Sequence, residues 1–235
     1  MIEIPQIEFP DLKVEAGTLY IVSTPIGNLE DISFRAIYVL NNVDYIAAED
    51  TRTSGILLAA YGIKRKLISY YSQVESSKLE FILRELKSGK SIALISDAGT
   101  PCISDPGSIL VSNCVKENIE VVSIPGASSL IHSLVISGFS TDKFYYHGFL
   151  PLKKGRETLF NEFKNMKMPV IIFESPFRIL RTLEDINKHM GNREVCLGRE
   201  LTKKFEEIKR GKVKDLLQNK NSLKIKGEFV IIINN

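Results

Sequence analysis

The 235-residue sequence has no tryptophan and only three cysteines. The cysteines are odd in number and scattered, so they indicate neither a disulfide framework nor a zinc site. No apolar run approaches the ~18 residues of a membrane span. The segment from Met1 to Glu15 contains acidic residues and prolines instead of the basic-then-apolar layout of a signal peptide. We therefore expect a protein of the reducing cytoplasm, with no membrane partner and no metal.

Several catalytic signatures are also missing. Only Gly27, which stands after Pro25-Ile26, is found where a G-x-G-x-x-G fingerprint would follow the first predicted strand, so a dinucleotide enzyme is disfavoured. The sequence contains no G-x-S-x-G elbow, which argues against a Ser-His-Asp hydrolase. The three histidines, His132, His147 and His189, do not have the spacing of metal ligands.

The net charge of +3 conceals an uneven distribution. Residues 1–150 carry 12 Lys/Arg against 17 Asp/Glu, a balance of −5, whereas residues 151–235 carry 19 against 11, a balance of +8. One interpretation is a solvated basic face, and the other is a carboxyl-terminal domain that contacts RNA. We predict two domains, residues 1–148 and 149–235.

The first half alternates short apolar runs with helix-like segments, which predicts an α/β fold with a parallel sheet. The predicted strands are Thr18–Ser23, Val43–Ala48, Leu67–Tyr71, Ser91–Ile95 and Glu120–Ile124. The predicted helices are Ile32–Asn41, Thr53–Tyr61, Ser76–Lys87, Pro106–Lys116 and Ser128–Ser137. In the second half we expect helices at Arg156–Asn165, from Ser175-Pro176 onward and at Lys212–Gln218, and strands at Val170–Phe173, Glu194–Leu197 and Gly227–Ile233.

Four loops of small and polar residues follow predicted strands, where open α/β sheets bind ligands. They are 23–31, 48–53, 96–107 and 124–129. The 96–107 loop is the most informative, because its glycines allow close backbone approach and its prolines stiffen it. Each loop also has a plain structural interpretation. Asp50 or Thr51 would cap the helix that follows the 48–53 loop, and Ser128 would cap the helix that follows the 124–129 loop. The alternative roles of these residues are substrate contact, proton transfer or ligand binding.

The motifs in these loops, taken together, resemble a known family. They include Ser23-Thr24-Pro25-Ile26-Gly27-Asn28-Leu29-Glu30-Asp31, Ala48-Glu49-Asp50-Thr51-Arg52, the 96–107 loop, Pro125-Gly126, Gly148-Phe149-Leu150-Pro151, Phe173-Glu174-Ser175-Pro176 and Arg199-Glu200-Leu201-Thr202-Lys203. Over residues 17–233 the chain resembles the ribosomal RNA small subunit methyltransferase I family of the tetrapyrrole methylase superfamily. Phe177 is a departure, because histidine often stands there in the family.

The resemblance implies two α/β domains with S-adenosylmethionine in the cleft between them. It also implies a homodimer and 2′-O-methylation of a cytidine in the decoding region of 16S ribosomal RNA. By resemblance, the donor would contact residues of both halves: Pro25, Asp97, Ala98, Gly99, Thr100, Ile103, Ser104 and Ser128 from the first, and Phe173, Glu174, Leu201 and Gly227 from the second.

Ribose methylation requires a general base and groups that hold the RNA phosphate or stabilise a developing alkoxide. Glu49 and Asp50 are the candidate bases, with Asp97 next. Arg52, Arg199 and Lys203 are the candidate cationic groups. Two alternatives remain open, namely a methylase of a corrin or porphyrin precursor and a non-catalytic ribosome-assembly factor. The presence of all four ligand loops argues against the assembly factor, because a protein that only binds would not need them.

Overall fold

The computed structural model describes residues 13–235, which form ten strands and eight α-helices in two compact units. The first unit ends at Ser128 and the second is Ser129–Asn235. The first contains β1 (Leu19–Val22), α1 (Phe34–Asn42), β2 (Tyr45–Ala48), α2 (Thr51–Ala60), β3 (Lys66–Ser69), α3 (Glu75–Lys87), β4 (Ile92–Ile95), α4 (Ser108–Lys116) and β5 (Val121–Ile124). The second contains α5 (Ser129–Ser137), β6 (Tyr145–Phe149), α6 (Arg156–Lys164), β7 (Val170–Glu174), α7 (Ile179–Met190), β8 (Glu194–Arg199), β9 (Glu207–Lys212), α8 (Val213–Gln218) and β10 (Phe229–Ile233).

The sheet of the first unit is wholly parallel, with strand order β3-β2-β4-β1-β5. All four residues of β1 and of β4 are buried, as expected for central strands that are covered on both faces. One face packs on α1 and α2 through residues such as Val39 and Leu58. The opposite face packs on α3 and α4 through residues such as Ile82 and Leu110. The parallel sheet predicted from the alternating pattern is therefore confirmed.

Helix starts in the first unit follow from local capping. The Ser33 side chain accepts a hydrogen bond from the Ala36 amide at 3.1 Å and begins α1. The Asp50 side chain accepts from the Arg52 amide at 2.8 Å and begins α2. Each bond satisfies an amide that has no partner within the helix. The predicted capping role of Asp50 is confirmed.

The sheet of the second unit is mixed, with strand order β6-β7-β10-β8-β9. β6 and β7 are parallel, and the remaining neighbours are antiparallel. The apolar stripe of α7, which includes Leu183 and Ile186, packs with α6 on one face of this sheet. The predicted α/β character of both halves is confirmed.

Three details of the second unit differ from the sequence predictions. β6 and β9 were not predicted, because β6 contains His147 and Gly148 and β9 is a largely polar edge strand. α7 begins at Ile179 and not at Ser175. The Ser175 hydroxyl accepts from the Phe177 amide at 3.3 Å and forms a turn, and the helix starts after that turn.

The division between the units falls before α5, earlier than the predicted boundary after residue 148. The reason is that α5 packs on β10 of the second unit. The Arg210 guanidinium also donates to the carbonyls of Ile136 and Ser137 at the end of α5. Within residues 13–235, no helix combines the length and apolar character needed to cross a membrane.

Candidate active site

The carboxyl ends of β1 and β4 form the topological switch point of the parallel sheet. The chain leaves β1 toward β2 on one side of the sheet, and it leaves β4 toward β5 on the other side. Diverging connections open a crevice above two neighbouring strands, and ligands of open α/β sheets bind there. The 23–31 and 96–107 loops follow these two strands, so both predicted ligand loops lie at the switch point.

Backbone hydrogen bonds join these two loops. Thr24 and Gly99 form an isolated antiparallel bridge, with Thr24 N–H to Gly99 O at 2.8 Å and Gly99 N–H to Thr24 O at 3.1 Å. The buried Thr24 hydroxyl also donates to Ser96 O at 3.1 Å. Pro25 is buried directly after this bridge. The bridge makes one rigid ledge from two loops that are 75 residues apart in sequence.

The 124–129 loop joins the same ledge. The Thr100 hydroxyl lies 2.9 Å from the Ser23 hydroxyl and 3.3 Å from Ala127 O. Gly126 rests directly on Ser23, since a Cβ at Gly126 would lie 2.9 Å from the Ser23 Cβ. Ser128 follows at the start of α5 and is half-buried. A glycine at residue 126 is therefore required by the close approach of the two loops.

Exposed residues of mixed polar and apolar character line the outer part of the 96–107 loop. Asp97, Ala98, Ile103 and Ser104 are all exposed. Cys102 and Ser104 have φ angles of 72° and 64°, which few non-glycine residues adopt. Such backbone strain clusters where a loop is held in a functional conformation. The predicted donor residues of the first unit thus fall on one ledge.

Four carboxylates cluster beside this ledge. Glu49 and Asp50 follow β2, Asp97 follows the neighbouring β4, and the Asp50 amide donates to Asp97 Oδ1 at 3.1 Å. Burial, and then the charges of Asp105 and Asp97, raise the pKa of Glu49. Burial also raises the pKa of Asp97 and of Asp105. A carboxylate with a raised pKa is a stronger base, so the pKa directions favour Glu49 over its neighbour Asp50.

Asp50 has the opposite electrostatics. Its carboxylate accepts from the Arg52 side chain at 2.8 Å and from the Arg52 amide, and these bonds lower the pKa of Asp50 to about 2. A carboxylate with this pKa is a poor proton acceptor near neutral pH. The side chain of Arg52 is 90% exposed, so its guanidinium remains accessible to a polyanion.

Glu75 supports the 96–107 loop, a role that its place in the sequence does not indicate. The Glu75 side chain is buried and accepts from the Gly107 amide at 3.0 Å and from the Tyr70 hydroxyl at 2.8 Å. Burial raises the pKa of the nearby Cys102 thiol to about 11, which makes that thiol unreactive at neutral pH. A glutamate in the first turn of α3 resembles ordinary helix-start chemistry, so nothing local marked it as the support of a distant loop.

In the second unit, the predicted donor contact Glu174 lies inside a buried ion-pair network. Its carboxylate accepts from Arg178 at 2.7 Å, from the Thr182 hydroxyl at 2.6 Å and from the Ser175 amide at 2.7 Å. The guanidinium of Arg156 bridges from Thr182 to Asp185. These partners occupy the carboxylate of Glu174, so the side chain holds the β7–α7 turn in place. Phe173 lies beside it and packs edge-on against Tyr146 and Phe149.

Lys203 and Gly227 meet at a second polar cluster. The Lys203 ammonium lies 3.1 Å from Glu200 and 3.0 Å from Glu228. Burial acts to lower the pKa of Lys203, but its bonds to Glu228 and Glu200 raise it overall. Gly227 has a φ of 87°, and a Cβ there would lie 2.5 Å from the Glu200 Cγ, so this position requires glycine. Leu201, which lies between Glu200 and Lys203 in the sequence, is buried.

Arg199, a candidate RNA contact, is buried, and its guanidinium group donates hydrogen bonds to three partners. It donates to Glu207 at 2.9 Å, to Phe205 O at 2.8 Å and to Lys226 O at 3.2 Å. It therefore holds the turn after β8. Among the described residues, no group of three or more His, Cys, Asp or Glu side chains is arranged to hold a metal ion.

This architecture is shared with tetrapyrrole methylases. Residues 18–217 match the family model described as Tetrapyrrole (Corrin/Porphyrin) Methylases. The solved structure of a cobalamin biosynthetic enzyme, cobalt precorrin-4 methyltransferase, aligns with a TM-score of 0.66 at 17% identity and covers 93% of this chain and 95% of that chain. Uroporphyrin-III C-methyltransferase from Thermus thermophilus, complexed with S-adenosyl homocysteine, aligns with a TM-score of 0.64 at 14% identity over 93% and 97%. At these identities the likeness concerns the fold alone.

Sequence similarity identifies the branch of this superfamily. A protein named ribosomal RNA small subunit methyltransferase I from Thermotoga maritima is 45% identical over 92% of this chain and 98% of its own length. Proteins of the same name from Halalkalibacterium halodurans and Haemophilus influenzae are each 46% identical, over 93% and 92% of this chain and 76% and 78% of their own lengths. The chain belongs to the ribosomal RNA small subunit methyltransferase I family, which confirms the resemblance seen in its motifs.

Proposed function

We propose that this chain transfers a methyl group from S-adenosylmethionine to the 2′-hydroxyl of a cytidine ribose in 16S ribosomal RNA of the small subunit. One observation carries the proposal. The chain is 45% identical, over nearly its whole length, to a protein named ribosomal RNA small subunit methyltransferase I. A substrate of this kind would place the chain in the cytoplasm.

The ledge at the switch point has the features expected of a methyl-donor site. Ala98 and Asp97 are exposed residues whose backbone and carboxylate groups could hydrogen-bond a compact polar ligand, and exposed Ile103 offers an apolar contact. The close packing of Gly126 on Ser23 holds the backbone that such a ligand would touch. When bound, the donor supplies an electrophilic methyl group on a sulfonium. The protein's own task is to align the acceptor oxygen with it at near-contact distance.

Glu49 is our proposed general base. It directly follows β2, at the same sheet edge as the donor ledge, and its half-buried carboxylate has a raised pKa. It would accept the proton of the ribose hydroxyl as the oxygen attacks. Asp50 serves instead as the helix cap and as the partner that orients Arg52. We assign the exposed guanidinium of Arg52 to an RNA phosphate near the reacting ribose.

Lys203 is our proposed second cationic contact to the RNA. Its ammonium is partly exposed and is held between two carboxylates, so it is pre-oriented but its charge is largely compensated. A phosphate would compete with Glu228, whose side chain is exposed. We therefore expect Lys203 to contribute less to RNA affinity than Arg52, whose single carboxylate partner leaves more of its charge uncompensated.

The test compares Glu49→Gln with a matched control, Glu80→Gln, which changes an exposed glutamate on α3. Methylation of unmodified small-subunit RNA is measured with labelled donor, and donor binding is measured by calorimetry. We expect Glu49→Gln to lower turnover by ~100-fold or more without loss of donor affinity, since a positioned base contributes about 10²–10⁴-fold. Unchanged turnover in Glu49→Gln would remove this residue from the mechanism.

The pH dependence provides a second readout for Glu49. A base must be deprotonated to act, so activity should rise with pH through the pKa of Glu49. Because that pKa is raised, the acidic limb of the profile should lie above the usual glutamate value of 4.5. In Glu49→Gln this limb should disappear. A wild-type profile that is flat across this range would contradict the assignment.

The acceptor is identified by offering the wild-type protein three substrates with the same labelled donor: naked small-subunit RNA, assembled small subunits and a tetrapyrrole precursor. Label in either RNA sample supports the proposal, and alkaline resistance of the labelled linkage with nucleoside analysis locates it on the cytidine 2′-oxygen. Label only in the tetrapyrrole would replace the proposed function with precursor methylation. Label in none would favour a ribosome-assembly factor.

We also propose that the chain is a homodimer. α5 has an apolar composition, and its side chains Ile131 and Val135 are one helical turn apart and exposed. An apolar helix with such side chains exposed is typical of a surface that another chain covers. Sedimentation of the purified protein tests this, and a monomer at micromolar concentration would refute it.

A further inference from the structure

Two loops of the second unit expose an unusual set of apolar side chains. The β6–α6 loop and the β7–α7 loop leave the carboxyl ends of two parallel, paired strands, with Phe149 opposite Phe173. Phe149 is 55% exposed, Leu152 is 67% exposed and Phe177 is 96% exposed. Single exposed apolar residues are ordinary, but a group on two adjacent loops marks an interaction site. We call this group, together with Lys153 and Lys154, the aromatic loop pair.

The aromatic loop pair is held rigidly by the buried network beneath it. Arg178 donates to Leu150 O at 3.0 Å and pairs with Glu174, which joins one loop to the other. Arg156 donates to Pro151 O at 3.2 Å and to Asp185. The ring of Phe149 is also supported by an edge-on contact with Phe173, whose ring centroid lies 5.6 Å away. A surface fixed in this way loses little conformational entropy when a ligand covers it.

Charge indicates the kind of ligand. Lys153 and Lys154 are both exposed and follow Leu152 directly, and residues 151–235 carry a net balance of +8. Aromatic rings beside lysines match the chemistry of single-stranded nucleic acid, in which bases stack on rings and phosphates meet the cations.

We propose that the aromatic loop pair binds a single-stranded segment of the ribosomal RNA substrate, with bases stacked on Phe149 and Phe177 and phosphates on Lys153 and Lys154. This inference rests on the proposed function, because it describes how the second unit recognises the RNA. It assigns to these side chains affinity for RNA and no part in methyl transfer.

The test uses the full chain and measures RNA affinity and methylation separately. The double variant Phe149→Ala/Phe177→Ala should weaken binding of a fluorescent single-stranded small-subunit RNA fragment by about 30-fold or more, the effect of losing two stacked bases at the lower end of the usual stacking contribution. The KM for RNA should rise by a similar factor, whereas kcat and the donor Kd should stay unchanged. Phe34→Ala, an exposed phenylalanine of the first unit, is the matched control.

The lysines provide a different signature. Lys153→Ala/Lys154→Ala should reduce the slope of log K against log salt concentration by about 1.4, since each single-strand phosphate contact contributes about 0.7. The aromatic double variant should leave that slope unchanged. Because these side chains are largely exposed and Phe149 loses only its edge-on contact with Phe173, the melting temperatures of these variants should fall little below that of the wild type.

Each result has a definite consequence. If the wild type methylates RNA and the aromatic double variant keeps its RNA affinity and KM, the inference is wrong and the proposed function stands. If the aromatic variant loses RNA affinity but the wild type methylates no RNA, the proposed function is wrong. If the aromatic variant changes sedimentation without changing RNA affinity, the surface binds a second copy of the chain and the inference is overturned.

Discussion

Replacing Glu174 with alanine would remove the acceptor that Arg178, Thr182 and the Ser175 amide share. The side chain of Glu174 is fully buried and that of Arg178 is 19% exposed, so the pair is poorly solvated. Removing one partner of a buried ion pair costs ~3–5 kcal/mol, because the remaining charge is left uncompensated. Arg156 lies 4.0 Å from Glu174 but keeps Asp185 as its close partner, so it adds little.

This cost is a large part of the total stability of a domain, which is about 5–15 kcal/mol. With a urea dependence of about 2 kcal/mol per molar, the unfolding midpoint of Glu174→Ala should fall by roughly 2 M. The measurement is urea unfolding followed by circular dichroism. Glu184→Ala, which changes an exposed glutamate on α7, is the control and should shift the midpoint very little.

The same variant separates two roles for Glu174. The sequence motif placed it among the donor contacts, whereas its hydrogen bonds give it a structural role. We therefore expect Glu174→Ala protein, at temperatures where it remains folded, to bind the methyl donor with an affinity close to that of the wild type. An unchanged unfolding midpoint together with lost donor affinity would refute the reasoning.

Two further predictions concern the supports of the predicted donor residues. Glu75→Ala should leave the Gly107 amide unpaired, at a stability cost of about 1–3 kcal/mol, and should raise the donor KM by about tenfold with little change in kcat. Glu75→Gln keeps an acceptor oxygen and should restore much of the donor affinity. Calorimetry with the donor checks both variants. Gly227→Ala should lower thermal stability more than Gly191→Ala, because both glycines have a φ of 87° but only a Cβ at Gly227 would overlap Glu200. Equal melting temperatures for the two glycine variants would contradict the second prediction.

The parallel sheet of the first unit was predictable because its three inner strands, β1, β2 and β4, are short apolar runs, each followed by a loop of small or polar residues. Ile92–Ile95 shows this, since all four residues are buried and the 96–107 loop follows at once. β6 and β9 were harder to predict. β9 contains few apolar residues and lies at the sheet edge. It therefore has no continuous buried face, and its sequence lacks the apolar pattern that predicts a strand.

The positions of the site residues were only partly predictable. The sequence indicated that Glu49, Asp50 and Asp97 follow strands, and parallel strand ends place such residues at one edge. It did not indicate that β2 and β4 are neighbours, which brings the Asp50 amide within 3.1 Å of the Asp97 carboxylate. Strand order depends on long-range pairing, which local periodicity does not encode.

By itself, the sequence determined the chemistry available to this protein: the alternating α/β pattern, the loops with their glycines and carboxylates, the basic second half and the family motifs. Only the tertiary structure decided how the pKa values of these carboxylates differ. Burial and neighbouring acids raise the pKa of Glu49, whereas Arg52 lowers that of Asp50. It likewise placed Glu174 and Arg199 in buried networks. The physical reason is that a side chain's pKa and accessibility depend on distant parts of the chain that folding brings next to it.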